Sequence, residues 1–298
     1  MNIHIKSTSE LDLGNRMRKQ RRLGTIILNS VLICAFLAGA GIYAYPHVQN
    51  IRNQYQNKTI INNYDEQVSK LSKQQIEAIW GEAEEYNAVH SENRITDPFQ
   101  KDGKETDESY NQMLSIDDSG VMGSIDIPKL NEKLAIYHGT ESDVLEKGVG
   151  HIEGTSLPTG GEGTHTVIAG HSGLPEAKIF TDLDQMEKGD LFVLHILDKT
   201  LTYKVDRIKT VLPDATEDLG ITAGEDYVTL VTCTPYGINT HRLLVRGIRT
   251  ENIEEKADVR WNYRIMQIIF AALILIVSAT VIRKRCTANK RGGEAGDE

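Results

Sequence analysis

Apolar positions along this chain fall into three patterns, and each predicts a different kind of element. Two stretches are apolar without a charged side chain: residues 24–45 (GTIILNSVLICAFLAGAGIYAY) and residues 265–282 (IMQIIFAALILIVSATVI). Each is long enough to cross a hydrocarbon core of about 30 Å as a helix. Between residues 64 and 90 the apolar side chains recur at helical spacing. Val68, Leu71, Ile76, Ile79, Trp80, Ala83 and Tyr86 fall near one side, and Glu82, Glu84 and Glu85 lie on the rest. This predicts an amphipathic helix that packs on its own domain. From residue 120 onward short runs of β-branched and aromatic residues alternate with turn residues. They predict strands over 121–127, 134–137 and 164–171, a hairpin of 191–196 with 201–208, and strands over 227–233 and 240–250. Seven or eight short strands argue a compact barrel or sandwich. Residues 174–186 (LPEAKIFTDLDQM) have helical character and are expected to cross one end. Residues 46–63 read as a polar connector. Residues 91–119 are polar and turn-rich, with Asp97, Pro98 and Phe99 in their middle, and loops of that length are functional or disordered.

Charge fixes the topology of the two long apolar stretches. Arg16, Arg18, Lys19, Arg21 and Arg22 precede the first, and Arg283, Lys284 and Arg285 follow the second. Positive flanks stay in the cytoplasm, so a two-pass cell-membrane protein is expected, with both termini inside and residues 46–264 outside. The first apolar run exceeds the ~7–15 residues of a signal-peptide core, which favours an uncleaved anchor. The expected organisation is a cytoplasmic tail (1–23), a transmembrane helix (24–45), an extracellular helical region and loop (46–115), a β domain (116–250), a tether (251–264), a second transmembrane helix (265–282) and a cytoplasmic tail (283–298). The chain's formal net charge is −9, and residues 24–282 carry 22 basic and 37 acidic side chains. That sign disfavours a nucleic-acid partner. The basic ends find their partner in anionic lipid headgroups.

Cysteine usage narrows the chemistry. Of Cys34, Cys233 and Cys286, only Cys233 falls in the external domain, so it has no intramolecular disulfide partner there. A lone extracellular thiol is a nucleophile or an intermolecular bridge. No second Cys and no close His pair accompanies it, so no metal site and no cofactor is implied. Cys233 ends the predicted strand 227–233. The loop 234–239 carries Pro, Gly and Asn, and His241 and Arg242 follow Thr240 at the start of the next strand. If the two strands pair, Arg242 comes within reach of Cys233, and a guanidinium beside a thiol lowers its pKa. On side-chain parity only one of His241 and Arg242 shares the face of Cys233. Among the nine His, His171 sits at a strand's C-terminal end before a Ser-Gly-Leu-Pro turn, where loops present catalytic groups.

The run TLVTC (229–233) followed by TPYGINTHRLLVRG resembles the signature of the sortases, the cysteine transpeptidases of Gram-positive surfaces, and within them the pilus-assembling class C. IAGHSGLPEAKIFTDLD (168–184) is similar to the family's histidine segment. The resemblance covers roughly residues 64–250. It implies a mainly β fold: a closed eight-stranded sortase-type barrel with an N-terminal amphipathic helix and a lid loop, flanked by two transmembrane helices. It assigns the nucleophile to Cys233, the catalytic histidine to His171 and the catalytic arginine to Arg242. Asp97-Pro98-Phe99 resembles the class C lid, in which the Asp pairs with the Arg and the aromatic covers the thiol. A free external thiol is open to oxidation, so such a lid would shield Cys233 and make activity depend on opening. The implied partners are pilin or surface-protein substrates with an LPxTG-like sorting signal, cut between Thr and Gly, and a pilin lysine amine as acceptor. The alternatives are a sortase that anchors proteins to peptidoglycan and a non-catalytic, membrane-tethered adhesion or scaffold domain. Leu157-Pro158-Thr159-Gly160-Gly161 is near an LPxTG signal, but its Thr and Gly come one position early and it lies mid-domain. It reads as a Pro/Gly loop.

Overall fold

A computed structural model of the protein describes residues 4–89, 97–99, 108–174 and 177–252. The second apolar stretch (265–282), the tether from residue 253 onward and the basic tail after the stretch lie outside the described residues.

Helix α1 (His4–Lys70) takes in the apolar stretch 24–45 and continues through residues 46–63, where the sequence suggested a polar connector. Among the described residues it is the one helix long and apolar enough to cross a membrane. Pro46 lies inside it and forfeits one backbone hydrogen bond. Docking of the downstream half explains why the helix nevertheless continues. Asn57, Ile61, Tyr64 and Val68 are buried at spacings of four, three and four, the period of one helix face. The Asn57 amide donates to the Lys147 carbonyl at 3.2 Å and its Oδ1 accepts the Ala135 N–H at 3.1 Å. The Tyr64 hydroxyl donates to the Met122 carbonyl at 2.9 Å and accepts the Leu197 N–H at 3.0 Å. Two of the four anchors are polar, so hydrophobic periodicity underreports this face.

The expected helix over 64–90 is in fact two. Ser72 and Gln75 form a reciprocal capping box: the Ser72 N–H donates to Gln75 Oε1 at 2.9 Å, and the Gln75 N–H donates to Ser72 Oγ at 3.3 Å. That box starts α2 (Lys73–Val89), which buries Ile76, Trp80, Ala83 and Tyr86. The expected apolar stripe is present, with Leu71 and Ile79 half-buried at its margin. Near the end of α2, Asn87 clamps a loop backbone: its Oδ1 accepts the Leu157 N–H at 2.7 Å and its amide donates to the Leu157 carbonyl at 3.2 Å. The short α3 (Glu108–Gln112) plants Tyr110, fully buried, with its hydroxyl 2.8 Å from His151 Nδ1.

Eight strands follow: β1 (Val121–Ile127), β2 (Glu132–His138), β3 (Val149–His151), β4 (Thr164–Ala169), β5 (Leu191–Ile196), β6 (Lys199–Val211), β7 (Asp226–Thr234) and β8 (His241–Arg249), with the one-turn helix α4 (Ser142–Leu145) between β2 and β3. They close into a barrel in the order β1-β2-β3-β4-β7-β8-β6-β5, with β5 returning to β1. The pairs β2–β3 and β4–β7 are parallel and the rest antiparallel. Closure removes sheet edges, which leaves no strand open to pairing with another chain. Phe192 and Tyr203 stack in the interior with ring centroids 5.7 Å apart.

Strand β3 escapes sequence reading because it has three residues, one of them Gly150. The β5–β6 turn is tighter than expected: Ile196 pairs with Lys199, leaving only Leu197 and Asp198 in the turn, with Leu197 at φ 51°. The described residues of 174–186 do not form the expected helix. Only Leu183–Gln185 makes a 3₁₀ turn, and the segment folds back so that the Phe180 N–H donates to the His171 carbonyl at 3.1 Å. Its apolar residues Ala177, Ile179, Phe180 and Leu183 are buried as a plug, which reproduces a helix-like pattern without the helix.

Glu132, at the start of β2, is buried. Burial pushes its carboxyl up to about 7, while Lys178 and a hydrogen bond from Gln54 of α1 pull it down and Asp182 raises it. The folded chain therefore holds a proton that the unfolded chain has released, and stability falls as pH rises from the ordinary glutamate range through about 7. Glu132→Gln is expected to leave stability at pH 4 nearly unchanged and to raise it at pH 8 by about 1–3 kcal/mol. Urea denaturation at the two pH values checks this.

Candidate active site

The site lies at one end of the barrel, where β4 and β7 finish and β8 starts. Cys233 and Arg242 are direct partners across the β7–β8 ladder, and the next pair is Thr234 with His241. Parity therefore places Arg242 with the thiol and turns His241 to the other face. The parallel β4–β7 register carries His171 up beside Cys233. The Gly170 N–H donates to the Val231 carbonyl at 3.0 Å, and Thr232 Oγ1 donates to the Gly170 carbonyl at 2.7 Å. Three other described histidines are held elsewhere. His151 and His165 are buried in hydrogen bonds to Ser156 and Gly220 carbonyls, and His138 bonds the Met113 carbonyl.

Asp97 closes the site from a distant part of the chain. The Arg242 guanidinium grips its carboxylate with two parallel bonds, Nε to Oδ1 at 2.8 Å and Nη2 to Oδ2 at 2.7 Å. Such a fork is the strongest geometry a guanidinium offers. Nη1 donates to the carbonyls of Asn239 and His241, both at 3.1 Å, and Asn239 reaches this position with φ 60°. Phe99 bridges the two flanks of the thiol: its ring centroid lies 5.6 Å from that of His171 and 5.0 Å from Arg242 Cζ. Pro98 is buried between them in sequence, and a small cavity between it and the end of β6 is lined by Asp97, Val211, Leu219, Val231 and Arg242. Cys233, Arg242 and Asp97 are each under a tenth exposed.

Burial decides the protonation states. It pushes the Cys233 thiol up; the Arg242 charge pulls it back, and the Asp97 charge pushes it further up. The thiol pKa is thus raised, where the sequence reading expected it lowered. Arg242 does act in the expected direction, but its charge is shared with Asp97 and water is excluded. Burial also holds His171 below the ordinary histidine range, with Glu146 opposing. With Asp97 and Phe99 seated over the site, burial favours a neutral thiol and a neutral imidazole. Alkylation of Cys233 by iodoacetamide is expected to rise with pH along a midpoint above the ordinary thiol value of about 8.5. Rates across pH 6 to 10 check this, and an unshifted midpoint would refute the burial argument.

The structure brings together the six residues singled out from the sequence, Cys233, His171, Arg242, Asp97, Pro98 and Phe99, and adds three neighbours that the sequence did not point to. Glu146 is distant in sequence and acts only through space. Asn239 contributes a backbone carbonyl. Tyr236 lays its ring against Gly173, at φ 82°, where a Cβ would meet the ring at 3.0 Å; it thereby joins the β7–β8 loop to the loop after His171. Only the turn-forming Pro-Tyr-Gly-Ile-Asn run hinted at the last two.

The sequence pattern of the sortase domain matches residues 125–250. Sortase D of Bacillus subtilis is 32% identical over 148 residues, covering 48% of this chain and 72% of that protein. Among solved structures, Streptococcus pneumoniae sortase C, described together with its pilin substrate specificity, is 46% identical with a TM-score of 0.62, covering 65% of this chain and 97% of that one. The pilus-related sortase C of Group B Streptococcus is 43% identical with a TM-score of 0.59, covering 64% of this chain and 96% of that one.

Proposed function

This chain belongs to the sortase family of cysteine transpeptidases, and from that premise we propose that it is a membrane-anchored pilus polymerase whose acyl carrier is Cys233. The observation that carries the reading is the cross-strand pair of Cys233 and Arg242 with Asp97, Pro98 and Phe99 seated over it.

In this mechanism an LPxTG-like sorting signal displaces the lid, and Arg242 is freed from Asp97. Water and substrate restore the charged pair, Cys233 thiolate and His171 imidazolium, which titrates as a unit. The thiolate sulfur attacks the carbonyl carbon of the Thr–Gly bond. The carbonyl oxygen becomes an oxyanion, and the guanidinium N–H groups that had held Asp97 stabilise it. The C–N bond then breaks, His171 gives its proton to the departing glycine amine, and a thioester remains on Cys233. A pilin lysine amine attacks that thioester, neutral His171 takes a proton from the nitrogen, and the thiolate leaves. The product is an isopeptide bond.

The lid tripeptide supports the pilus branch over peptidoglycan attachment. Its Asp takes the guanidinium fork of Arg242, and its aromatic ring lies against both His171 and Arg242. Helix α1 supplies the proposed membrane anchor; a two-pass topology additionally requires residues 265–282 to span. The test is product analysis by mass spectrometry. Incubation with an LPxTG-type peptide and a lysine-bearing pilin peptide is expected to give a thioester on Cys233 and then an isopeptide-linked product. Thioester formation resolved only by aminoglycine-type peptidoglycan amines would overturn pilus polymerisation. Absence of any adduct would overturn the assigned chemistry.

A further inference from the structure

Acyl transfer by Cys233 calls for His171 as an imidazolium, yet burial holds His171 below the ordinary histidine range. Some other group must oppose burial. Among the described residues the His171 ring has no hydrogen bond; its ring contact is with Phe99, at 5.6 Å between centroids. Most charged groups packed around it are committed elsewhere. Arg242 on β8 is gripped by Asp97, and burial favours the neutral thiol of Cys233 on β7. In the segment after His171, Lys178 pairs with Asp182. Around α4, Lys147 leans over the Tyr137 ring at 4.7 Å and toward Asp143 at 3.8 Å, and the Glu141 carboxylate lies against Gly139. Glu146 differs. Its side chain is exposed, and its carboxylate has no hydrogen bond or ion pair among the described residues. Its charge opposes the effect of burial on His171.

Backbone register brings the two residues together. Strands β3 and β4 are antiparallel, with Gly150 opposite Ala169 and His151 opposite Ile168. Carried two residues onward, the same register sets Gly148 opposite His171, and Glu146 enters this edge of the mouth from the turn before β3. That turn is held on three sides. The Glu146 N–H donates to the Ser142 carbonyl at 3.0 Å, and the Gly148 N–H donates to the Val144 carbonyl at 3.1 Å. The Lys147 carbonyl accepts the Asn57 amide of α1 at 3.2 Å. Gly148 packs so closely on Tyr137 that a Cβ there would lie 2.7 Å from the ring. The placement of Glu146 thus depends on the barrel and α1, and not on Asp97 or Phe99.

We propose that Glu146 is a positioning residue for acyl transfer: from the turn before β3 its carboxylate sustains the His171 imidazolium through space, so that the charged Cys233–His171 pair forms often enough to react. The inference rests on the acyl-transfer reading of Cys233. Exposure of the carboxylate suits the task, because His171 must surrender its proton to the departing amine. A buried carboxylate bonded to the ring would hold that proton; a charge weakened by water favours it without trapping it.

The test follows the pH dependence of acylation. The full chain in detergent micelles, carrying Asp97→Ala so that the mouth is open, is compared with the same chain carrying Glu146→Gln or Glu146→Asp in addition. The kcat/KM for thioester formation with a water-soluble LPxTG-type peptide is measured from about pH 5 to about pH 10. The reactive pair is a minority form in which thiolate and imidazolium coexist. At acid pH the resting enzyme already carries a protonated His171, so Glu146→Gln changes nothing and the two profiles coincide. On the plateau His171 is mostly neutral, and the rate is expected to fall roughly three- to tenfold. The variant's acid limb levels off at a pH lower by the logarithm of the same factor. Glu146→Asp is expected to recover part of the plateau, and added salt to narrow the gap. In a Cys233→Ala chain, the His171 ring proton followed by NMR should titrate at lower pH once Glu146 is Gln. An unchanged plateau, an equal loss at every pH or an unmoved His171 titration overturns the role of Glu146 and leaves the acyl-transfer reading standing. If the parent chain forms no thioester at Cys233, the acyl-transfer reading falls and this inference falls with it.

Discussion

Cys233→Ala is expected to remove thioester formation entirely and to lower transpeptidation by at least about 10⁴-fold, to the level of background amine exchange. The argument is one of position. Cys233 is the only thiol on the described barrel: the other described cysteine, Cys34, lies in the apolar stretch of α1. A water molecule admitted in its place lacks both the nucleophilicity of sulfur and the capacity to hold the acyl group until an amine arrives. Folding should survive, because the side chain is small and its backbone is fixed in the β7–β8 ladder. Mass spectrometry of the enzyme after incubation with peptide, alongside circular dichroism of both forms, separates loss of chemistry from loss of fold. Retained turnover would require a different nucleophile and would sink the assignment.

Asp97→Ala is expected to raise the alkylation rate of Cys233 by roughly 100-fold at pH 7 and to increase turnover of LPxTG-type peptides. Breaking a buried, doubly hydrogen-bonded ion pair costs about 3–5 kcal/mol. Here the cost falls mainly on the closed lid, since opening lets water reach Arg242. A shift of about 3 kcal/mol in a two-state equilibrium is more than a hundredfold in open population. Two further effects point the same way: the Asp97 charge no longer raises the thiol pKa, and Arg242 is left free to lower it. The pH midpoint of alkylation should therefore move down with the substitution. Unchanged alkylation and unchanged turnover would mean that Asp97 anchors nothing of consequence. Asp97→Asn distinguishes charge from shape: it keeps the volume, loses the ion pair and should behave nearly as the alanine form does.

The site was legible in the sequence to the extent that it depends on register. Strand parity decides that only one of His241 and Arg242 shares the face of Cys233, and the structure pairs Arg242 with the thiol. The strand ends that carry Cys233 and His171 were readable from β-branched runs closed by Gly and Pro. What was not readable depends on distant groups meeting. Residues 46–63 look like a connector because Asn57, one of their buried anchors, docks through hydrogen bonds and not apolar area. Residues 174–186 look helical because a plug of buried side chains has the same composition as a helix face. The thiol's raised pKa is invisible because it balances burial and two opposite charges, one of them brought from residue 97. The direction of α1 along the barrel is likewise a property of contacts that no local pattern encodes.

The Asn87 clamp on the 157–159 backbone has a consequence for the enzyme's own survival. Leu157, Pro158, Thr159 and Gly160 are buried, and both the N–H and the carbonyl of Leu157 are taken by one amide. If the enzyme selects LPxTG-like signals as proposed, this loop, whose Thr and Gly come one position early for that pattern, is held in a form that neighbouring copies have no means of seizing. Immunity from self-cutting is here a property of the folded state: it lasts as long as the loop stays tucked under α2. Chains that lose this fold expose the stretch, so the cell's stock of functional enzyme would be marked off from its damaged stock by which molecules have become edible.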